Sequence, residues 1–276
     1  MTIFCVVPVH NRIGMTLQFL DSLDRQTVKE SISVLIVDDG STDGTARTLG
    51  ARTGRFPIRI ITGSGNWWWG GSVWHAIQHL KEAATPDDWI FLANNDTILE
   101  PDYLTHLFET ARRNERAVVG GRSFEIWPDG TRHPVSSGFL IDHEALSIQA
   151  IDGHSSEIRE VDALAGRGIL ISLTAVNDTA MRPRLMPQHF ADLNLTSQMK
   201  ARGLTLLVNH RAESLQIDRA SSALELGQQL KPSLNKASPM YVPAITTFWW
   251  LQTPPLRRIA LPFKAFHRAR RREHLT

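Results

Sequence analysis

Cysteine is almost absent. Cys5 is the only one in 276 residues, which excludes an internal disulfide and any cysteine-rich zinc site. It lies in the apolar run at 3–7 and reads as a small buried side chain. Long apolar runs are missing too. No stretch of about 18 apolar residues occurs, so nothing in the sequence spans a bilayer. The N-terminus lacks the basic region that precedes the apolar core of a signal peptide, and a cytoplasmic address follows by default. Net charge is small, +2 from 30 basic and 28 acidic side chains, so the body offers no nucleic-acid-binding surface. Two phosphate-binding signatures are also absent: neither a glycine-rich dinucleotide turn nor a P-loop follows the first apolar run.

What is present is a hydrophobic fraction of 42%, enough for a sizeable core, arranged in alternating short apolar runs and helical patterns. The apolar runs at 3–7, 34–37, 58–61 and 89–93 read as strands covered on both faces. Helical patterns lie at 14–25, 43–49, 71–83 and 101–114, the last with Pro101 in its first turn. This alternation predicts βαβ units around a mainly parallel sheet. After residue 118 the pattern loosens around Gly120-Gly121 and the turn Trp127-Pro128-Asp129-Gly130. Short strands are expected near 139–141 and 168–172. A helix at 192–202, stopped by Gly203, precedes a strand at 204–208, and 221–238 reads as a linker or a poorly ordered helix.

Three of the expected strands end in polar clusters. The first ends in Pro8-Val9-His10-Asn11-Arg12, the second in Asp38-Asp39-Gly40-Ser41-Thr42-Asp43-Gly44-Thr45, the fourth in Asn94-Asn95-Asp96-Thr97. In an open α/β sheet, ligands bind at the carboxyl ends of the strands, so these clusters share one edge. Asp43 reads as a helix N-cap. The Asp38-Asp39 pair at the end of a buried strand needs a hydrogen-bonding or cationic partner. Asp96 suits Mg²⁺ or Mn²⁺, ions that take few protein carboxylates and complete their shell with phosphate oxygens; Asn94 suits a ribose hydroxyl. Each cluster alone also reads as an ordinary turn. Their convergence marks a nucleotide site.

The set Val7-Pro8-Val9-His10-Asn11-Arg12, Val37-Asp38-Asp39-Gly40-Ser41-Thr42-Asp43 and Leu92-Ala93-Asn94-Asn95-Asp96 resembles glycosyltransferase family 2 over roughly residues 2–215. The third motif is a degenerate form of the family's Asp-x-Asp. The resemblance implies a GT-A (Rossmann-like) α/β fold, a sheet flanked by helices, spanning 1–220. Its nucleotide-binding half would be 1–115 and its acceptor half 116–220, followed by a linker and amphipathic extension at 221–276. It also implies an inverting, metal-dependent transfer from a nucleotide diphosphate-sugar to an acceptor hydroxyl. Gly65-Asn66-Trp67-Trp68-Trp69-Gly70-Gly71-Ser72 resembles the family's glycine-rich stretch in the form of its rhamnosyltransferase-like members. There an indole would stack on a base or sugar while the glycines admit a phosphate to a helix N-terminus; core packing is the other reading. The implied donor-binding set is Pro8, His10, Arg12, Asp38, Asp39, Asn66, Trp68, Gly70, Asn94, Asn95 and Arg167, the last in Leu164-Ala165-Gly166-Arg167-Gly168. Asp192, at the start of a helix, matches the family's general base, an N-cap being the plainer alternative, with His189 a second candidate for acceptor contact. Asp96 and His210 match the metal positions, for Mg²⁺ or Mn²⁺.

The last segment combines aromatics, Phe248-Trp249-Trp250, with seven Lys or Arg and no acid between Arg257 and Arg272. That composition suits an anionic membrane surface, reached through 248–272, or alternatively a dimerisation arm. A lipid-linked acceptor on the inner face of the membrane would give such contact a purpose, as in cell-surface polysaccharide or glycolipid assembly. Two other functions remain in view: a non-catalytic nucleotide-sugar-binding protein, favoured by the asparagines in the third motif, and a sugar-1-phosphate nucleotidyltransferase, disfavoured by the missing glycine-rich basic loop.

Overall fold

The four apolar runs of the first half form adjacent parallel strands. The computed structural model describes residues 1–114, 116–127, 129–135, 138–151, 158–176, 179–217 and 232–261. Its first half runs β1 (Thr2–Val9), α1 (Ile13–Asp24), β2 (Ser31–Asp38), α2 (Thr45–Ala51), β3 (Ile58–Thr62), α3 (Trp68–Ala83), β4 (Trp89–Leu92), β5 (Thr97–Leu99) and α4 (Tyr103–Arg113). Then follow β6 (Ala117–Ile126), β7 (Arg132–Val135), β8 (Gly138–Asp142), β9 (Ser147–Ala150), β10 (Ile158–Glu160), β11 (Ala163–Leu164), β12 (Ile169–Ser172) and α5 (Leu173–Val176). The chain continues through α6 (Ala191–Ala201), β13 (Thr205–Gln216) and α7 (Val242–Gln252), with 3-10 turns at Pro232–Leu234 and Pro255–Ala260.

The main sheet has the order β10-β13-β6-β12-β4-β1-β2-β3. Strands β4, β1, β2 and β3 are mutually parallel, as are β6 and β13, while β12 runs antiparallel between β4 and β6. Alternation along β1 sends Ile3, Cys5, Val7 and Val9 to one face, against Phe19, Leu20 and Leu23 of α1. Val6 faces the other way, with Leu35 and Val37, against Val73, Ala76 and Leu80 of α3 and Leu195 and Met199 of α6. Both faces are therefore dry, which is why these strands are apolar throughout. Each fully buried Leu, Val or Phe contributes about 1.5–3 kcal/mol by leaving water. A third cluster holds Phe248 and Trp249 of α7 against Met186, Ala191 and Leu193.

Several boundaries differ from expectation for identifiable reasons. Helix α3 begins at Trp68 rather than near 71, because Asp39 accepts the N–H groups of Trp67 and Trp68. Helix α4 begins at Tyr103, with Asp102 rather than Pro101 at its entry; the Pro101 carbonyl accepts from Thr27 N–H at 2.9 Å. Strand β13 was expected at 204–208 but runs to Gln216, because a register shift between Asn209 and Glu213 lets it resume pairing with β6 and add β5. Of the expected linker, 221–231 lies outside the described residues.

Candidate active site

The tips of β1, β2 and β3 are laced together by side chains reaching between loops. Asn11 N–H donates to Ser41 Oγ at 2.7 Å, and Asn11 Oδ1 accepts from Thr42 N–H at 2.8 Å. Asp43 Oδ2 accepts from Ile13 N–H at 3.0 Å, so this carboxylate serves the start of α1; through Oδ1 it also holds Thr45 at the start of α2. The N-cap position of α2 is Gly44, one residue later than the sequence suggests. The hydrogen bonds from Thr45 and Ile13 hold the exposed Asp43 carboxyl below its ordinary value.

The Asp38-Asp39 pair finds its partners in backbone N–H groups. Asp38 Oδ1 accepts from Ser41 N–H at 2.9 Å. Asp39, only 5% exposed, accepts three: Gly65 N–H at 2.7 Å on Oδ1, and Trp67 and Trp68 N–H at 2.8 Å each on Oδ2. Its carboxylate thus clasps the loop between β3 and α3. Its own carbonyl accepts from His10 Nδ1 at 2.7 Å, leaving Nε2 to accept from Asn11 Nδ2 at 3.2 Å. The three tryptophans then part company. Trp67 stacks on His75, centroids 3.6 Å apart and 19° between planes. Burial lowers the His75 pKa against the upward pull of Asp39. Trp68, with a left-handed φ of 56°, lines the cleft described below. Trp69 turns to β4 and donates from Nε1 to Asn94 Oδ1 at 2.9 Å.

Glycines bring the second half of the chain against this frame. A Cβ at Gly166 would collide with the Trp69 ring and lie 3.1 Å from Asp192 Cβ. Gly166 N–H donates to Asp192 Oδ2 at 2.9 Å, and Oδ1 of the same carboxylate accepts from Leu193 N–H at 2.9 Å. Asp192 is therefore the second residue of α6, held by backbone on both oxygens. Gly168, with φ of 113°, packs on the hydroxyl of buried Tyr103, which donates to its carbonyl at 2.8 Å. Gly70 packs on the 186–187 backbone and donates to Pro187 carbonyl at 2.6 Å.

Between these elements lies a cleft of about 700 Å³. It brings together ten of the residues expected there: Pro8, His10, Arg12, Asp39, Trp68, Asn94, Asn95, Asp96, Arg167 and Asp192. Arg167, half-buried, makes no hydrogen bond or ion pair with the described residues, so its guanidinium is available to an anion. Four expected residues do not line the cleft. Asp38 and Gly70 are buried in the packing just described, and Asn66 is exposed on the loop. His210 is 3% exposed within β13 and does not share the cleft with Asp96. Among the described residues no three His, Cys, Asp or Glu side chains form a metal-binding group. The cleft also has walls the sequence did not announce: Trp69, Glu125, Gln188, Phe190 and Gln216, with Ala237, Ser238 and Pro239 closing one side. His189 lines the cleft too and bonds through Nε2 to the Ala237 carbonyl at 2.9 Å. The Trp-Trp-Trp run was the only local signal for Trp69; the 237–239 wall has none.

Residues 4–161 match the family description "Glycosyl transferase family 2", more than half of the chain. The chain belongs to glycosyl transferase family 2. Two relatives, from two strains of Mycobacterium tuberculosis, are each named N-acetylglucosaminyl-diphospho-decaprenol L-rhamnosyltransferase. Each is 35% identical over 124 residues, 42% of this chain and 39% of the relative, so the match spans about two fifths of their length. Among solved structures, GalNAc-T7 with UDP, GalNAc and Mn²⁺ superimposes with a TM-score of 0.62 at 11% identity, covering 79% of this chain and 44% of that one. S. aureus TarS gives 0.55 at 13% identity, covering 95% and 44%. These two likenesses establish the GT-A fold. No helix among the chain's described residues is long and apolar enough to cross a membrane.

Proposed function

We propose that the chain transfers a hexosyl or deoxyhexosyl group, with inversion, from a nucleoside diphosphate-sugar to a hydroxyl of a lipid-diphosphate-linked sugar. The observation that carries this reading is the meeting of Arg167, Asp96 and Asp192 in one cleft whose nucleotide side is built by β1, β2 and β4. The rhamnosyl and diphospho-decaprenol terms in the relatives' name support the substrate classes.

In this reading His10, Arg12, Asn94 and Asn95 border the nucleoside, and Arg167 takes charge from the diphosphate. Asp192 faces the acceptor. Two backbone N–H groups fix its plane and leave further lone pairs on both oxygens. It accepts the acceptor's proton as the hydroxyl oxygen bonds to the anomeric carbon from the face opposite the leaving group. The bond from that carbon to the diphosphate breaks, and its electron pair stays on the diphosphate. The donor set fits a hard divalent ion shared with phosphate, because one carboxylate, Asp96, stands beside the amides of Asn94 and Asn95. Mg²⁺ or Mn²⁺ held there supplies positive charge to the leaving diphosphate; His210 is not part of that set.

The test is Asp192→Asn with a donor panel. The variant keeps nucleoside diphosphate binding, read as a thermal shift, and loses nearly all turnover. Wild-type turnover in the variant removes Asp192 from the role of base. If no nucleoside diphosphate stabilises the wild type, with or without Mn²⁺, the transferase reading of this cleft fails.

The C-terminal segment is proposed to rest on an anionic membrane. Residues 1–230 carry 21 basic and 27 acidic side chains, whereas 231–276 carry nine basic and one acidic. On α7 and the turn after it, Trp250 is 51% and Ile259 82% exposed, and Arg258 lies over the Trp250 ring at 5.0 Å. Because Phe248 packs on Phe190 beside the cleft, the informative truncation removes 262–276 and keeps α7. That truncation weakens sedimentation with anionic vesicles at low salt; unchanged binding rules the contact out.

A further inference from the structure

The hairpin of β6 and β7 ends in a tip that core packing does not account for. Ile126 and Trp127 are 46% and 47% exposed, yet hydrogen bonds tie the described residues of the tip to one another. Trp127 N–H donates to the Thr131 carbonyl at 2.9 Å, and Gly130 N–H, at a φ of 81°, donates to the Trp127 carbonyl at 2.8 Å. Asp129 Oδ1 accepts from both the N–H and the hydroxyl of Thr131, at 2.9 and 2.6 Å. With its proton committed to Asp129, Thr131 Oγ1 accepts from His133 Nε2 at 2.8 Å. The imidazole oriented in this way lies flat against Trp127, centroids 3.8 Å apart and 22° between planes. One face of the indole is covered, so its exposed area is the other face and the rim.

Strand register says where that face points. Glu125 stands opposite His133, and Ser123 opposite Val135. Directly opposed residues of an antiparallel pair share one face of the sheet. Glu125 and Val135 line the cleft, so the Trp127–His133 pair extends the same side of the hairpin outward from the cleft mouth. In the sheet, β6 is separated from β4 by β12 and lies away from the strand tips that carry Asp39 and Asn94. The extension therefore leads off on the acceptor side.

We propose that Trp127, seated on His133, is a stacking platform for an outlying pyranose ring of the acceptor, with the Glu125 carboxylate accepting from its hydroxyls. This rests on the reading of the cleft as one that glycosylates a carbohydrate-bearing acceptor. A pyranose presents an apolar C–H face ringed by hydroxyls, which matches a flat aromatic surface beside a carboxylate. A rigid indole offers this area at little cost in conformational entropy.

The experiment is saturation-transfer difference NMR on the full chain with three probes: methyl β-N-acetylglucosaminide, methyl α-L-rhamnoside and methyl β-galactoside. At least one receives saturation, strongest on the ring protons of one face. Trp127→Ala lowers that transfer about fivefold, the equivalent of one aromatic contact. Trp127→Phe keeps most of it, and His133→Ala lowers it by freeing the indole. All three variants keep wild-type stabilisation by nucleoside diphosphate. The proposal is overturned if no probe receives saturation from the wild type, or if Trp127→Ala gives wild-type transfer. Failure of the wild type to bind any nucleoside diphosphate would refute the underlying transferase reading instead.

Discussion

Replacing Asp39 by Asn tests whether this carboxylate builds the site or only borders it. As a carboxylate it accepts three backbone N–H groups from the loop between β3 and α3, at 2.7 to 2.8 Å and 5% exposed. Asn keeps one acceptor oxygen. In the better orientation it retains the bonds from Trp67 and Trp68 and turns an NH₂ group onto the N–H of Gly65. In the worse one it loses two bonds and keeps one. A hydrogen bond to a charged group contributes about 1.5–3 kcal/mol, and leaving a buried donor unpaired costs a similar amount, so the change costs about 2–4 kcal/mol. For a chain of this size that lowers Tm by roughly 5–15 °C. Trp68 sits at the end of the clasped loop, so donor affinity falls along with stability. Thermal denaturation and nucleoside diphosphate titration on the same variant read the two effects. An Asp39→Asn protein within about 0.5 kcal/mol of wild type, the range of an ordinary surface change, would show that the loop holds itself and that Asp39 is no clasp.

Two further outcomes follow from the same geometry. Gly166→Ala places a methyl group against the Trp69 ring and beside Asp192; overpacking of this kind costs about 1–3 kcal/mol, and turnover falls through the shift of Asp192 while donor affinity falls through the Trp69–Asn94 bond. Wild-type kcat in this variant would mean that the Trp69–Gly166–Asp192 stack has slack. On the far side of α6, burial raises the Asp162 pKa, but hydrogen bonds from Lys200 and Ile141 N–H outweigh it and hold the carboxyl below its ordinary value. A lowered carboxyl stabilises the fold above its unfolded value near 3.9 and loses that contribution as pH falls through the folded value. Lys200→Met is therefore less stable than wild type at neutral pH, and urea denaturation shows the gap closing only as pH falls past the ordinary carboxyl value and through the lowered folded value of Asp162, where the carboxyl is protonated in both proteins. A gap independent of pH would assign the effect to packing of the Lys200 stem.

The parallel half of the sheet was legible because its strands are dry on both faces. Continuous apolar runs that stop abruptly at Pro8, Asp38 and Asn94 have few other structural explanations. The same stops located seven of the cleft residues, Asp96 among them, while Trp68, Arg167 and Asp192 were found through the family resemblance. The use made of some residues was not legible. Asp39 and Gly70 carry the expected motifs, yet they meet backbone N–H groups and the 186–187 carbonyls, contacts set by a loop conformation that residue identity does not encode. Strand β13 looked short because its pattern breaks at the register shift after Asn209, where pairing lapses and then resumes. The wall at 237–239 joins the cleft through a contact 48 residues distant, His189 to Ala237, and a periodicity read along one segment carries no information about such a pairing.

The backbone supplies an argument for the site that is independent of motif or relative. Six non-glycine residues among those described have φ in the left-handed region: Asn11, Arg12, Trp68, Arg116, Leu146 and Phe190. For a side chain beyond Cβ this conformation costs on the order of 1 kcal/mol or more, and it persists only where the surroundings over-determine it. Three of the six, Arg12, Trp68 and Phe190, line the one cleft, and each stands at the first turn or N-cap of a helix: α1, α3 and α6. Glycine at these positions would relieve the backbone but would remove a guanidinium, an indole and a phenyl ring. Packing compensates for the strain in each case that can be traced. Arg12's neighbour Asn11 is laced to Ser41 and Thr42, Trp68 is clasped by Asp39, and Phe190 rests on Phe248 with centroids 5.3 Å apart. Three strained side chains, arriving from three separate helices and each braced from behind, are what a fold retains when those groups must face one ligand.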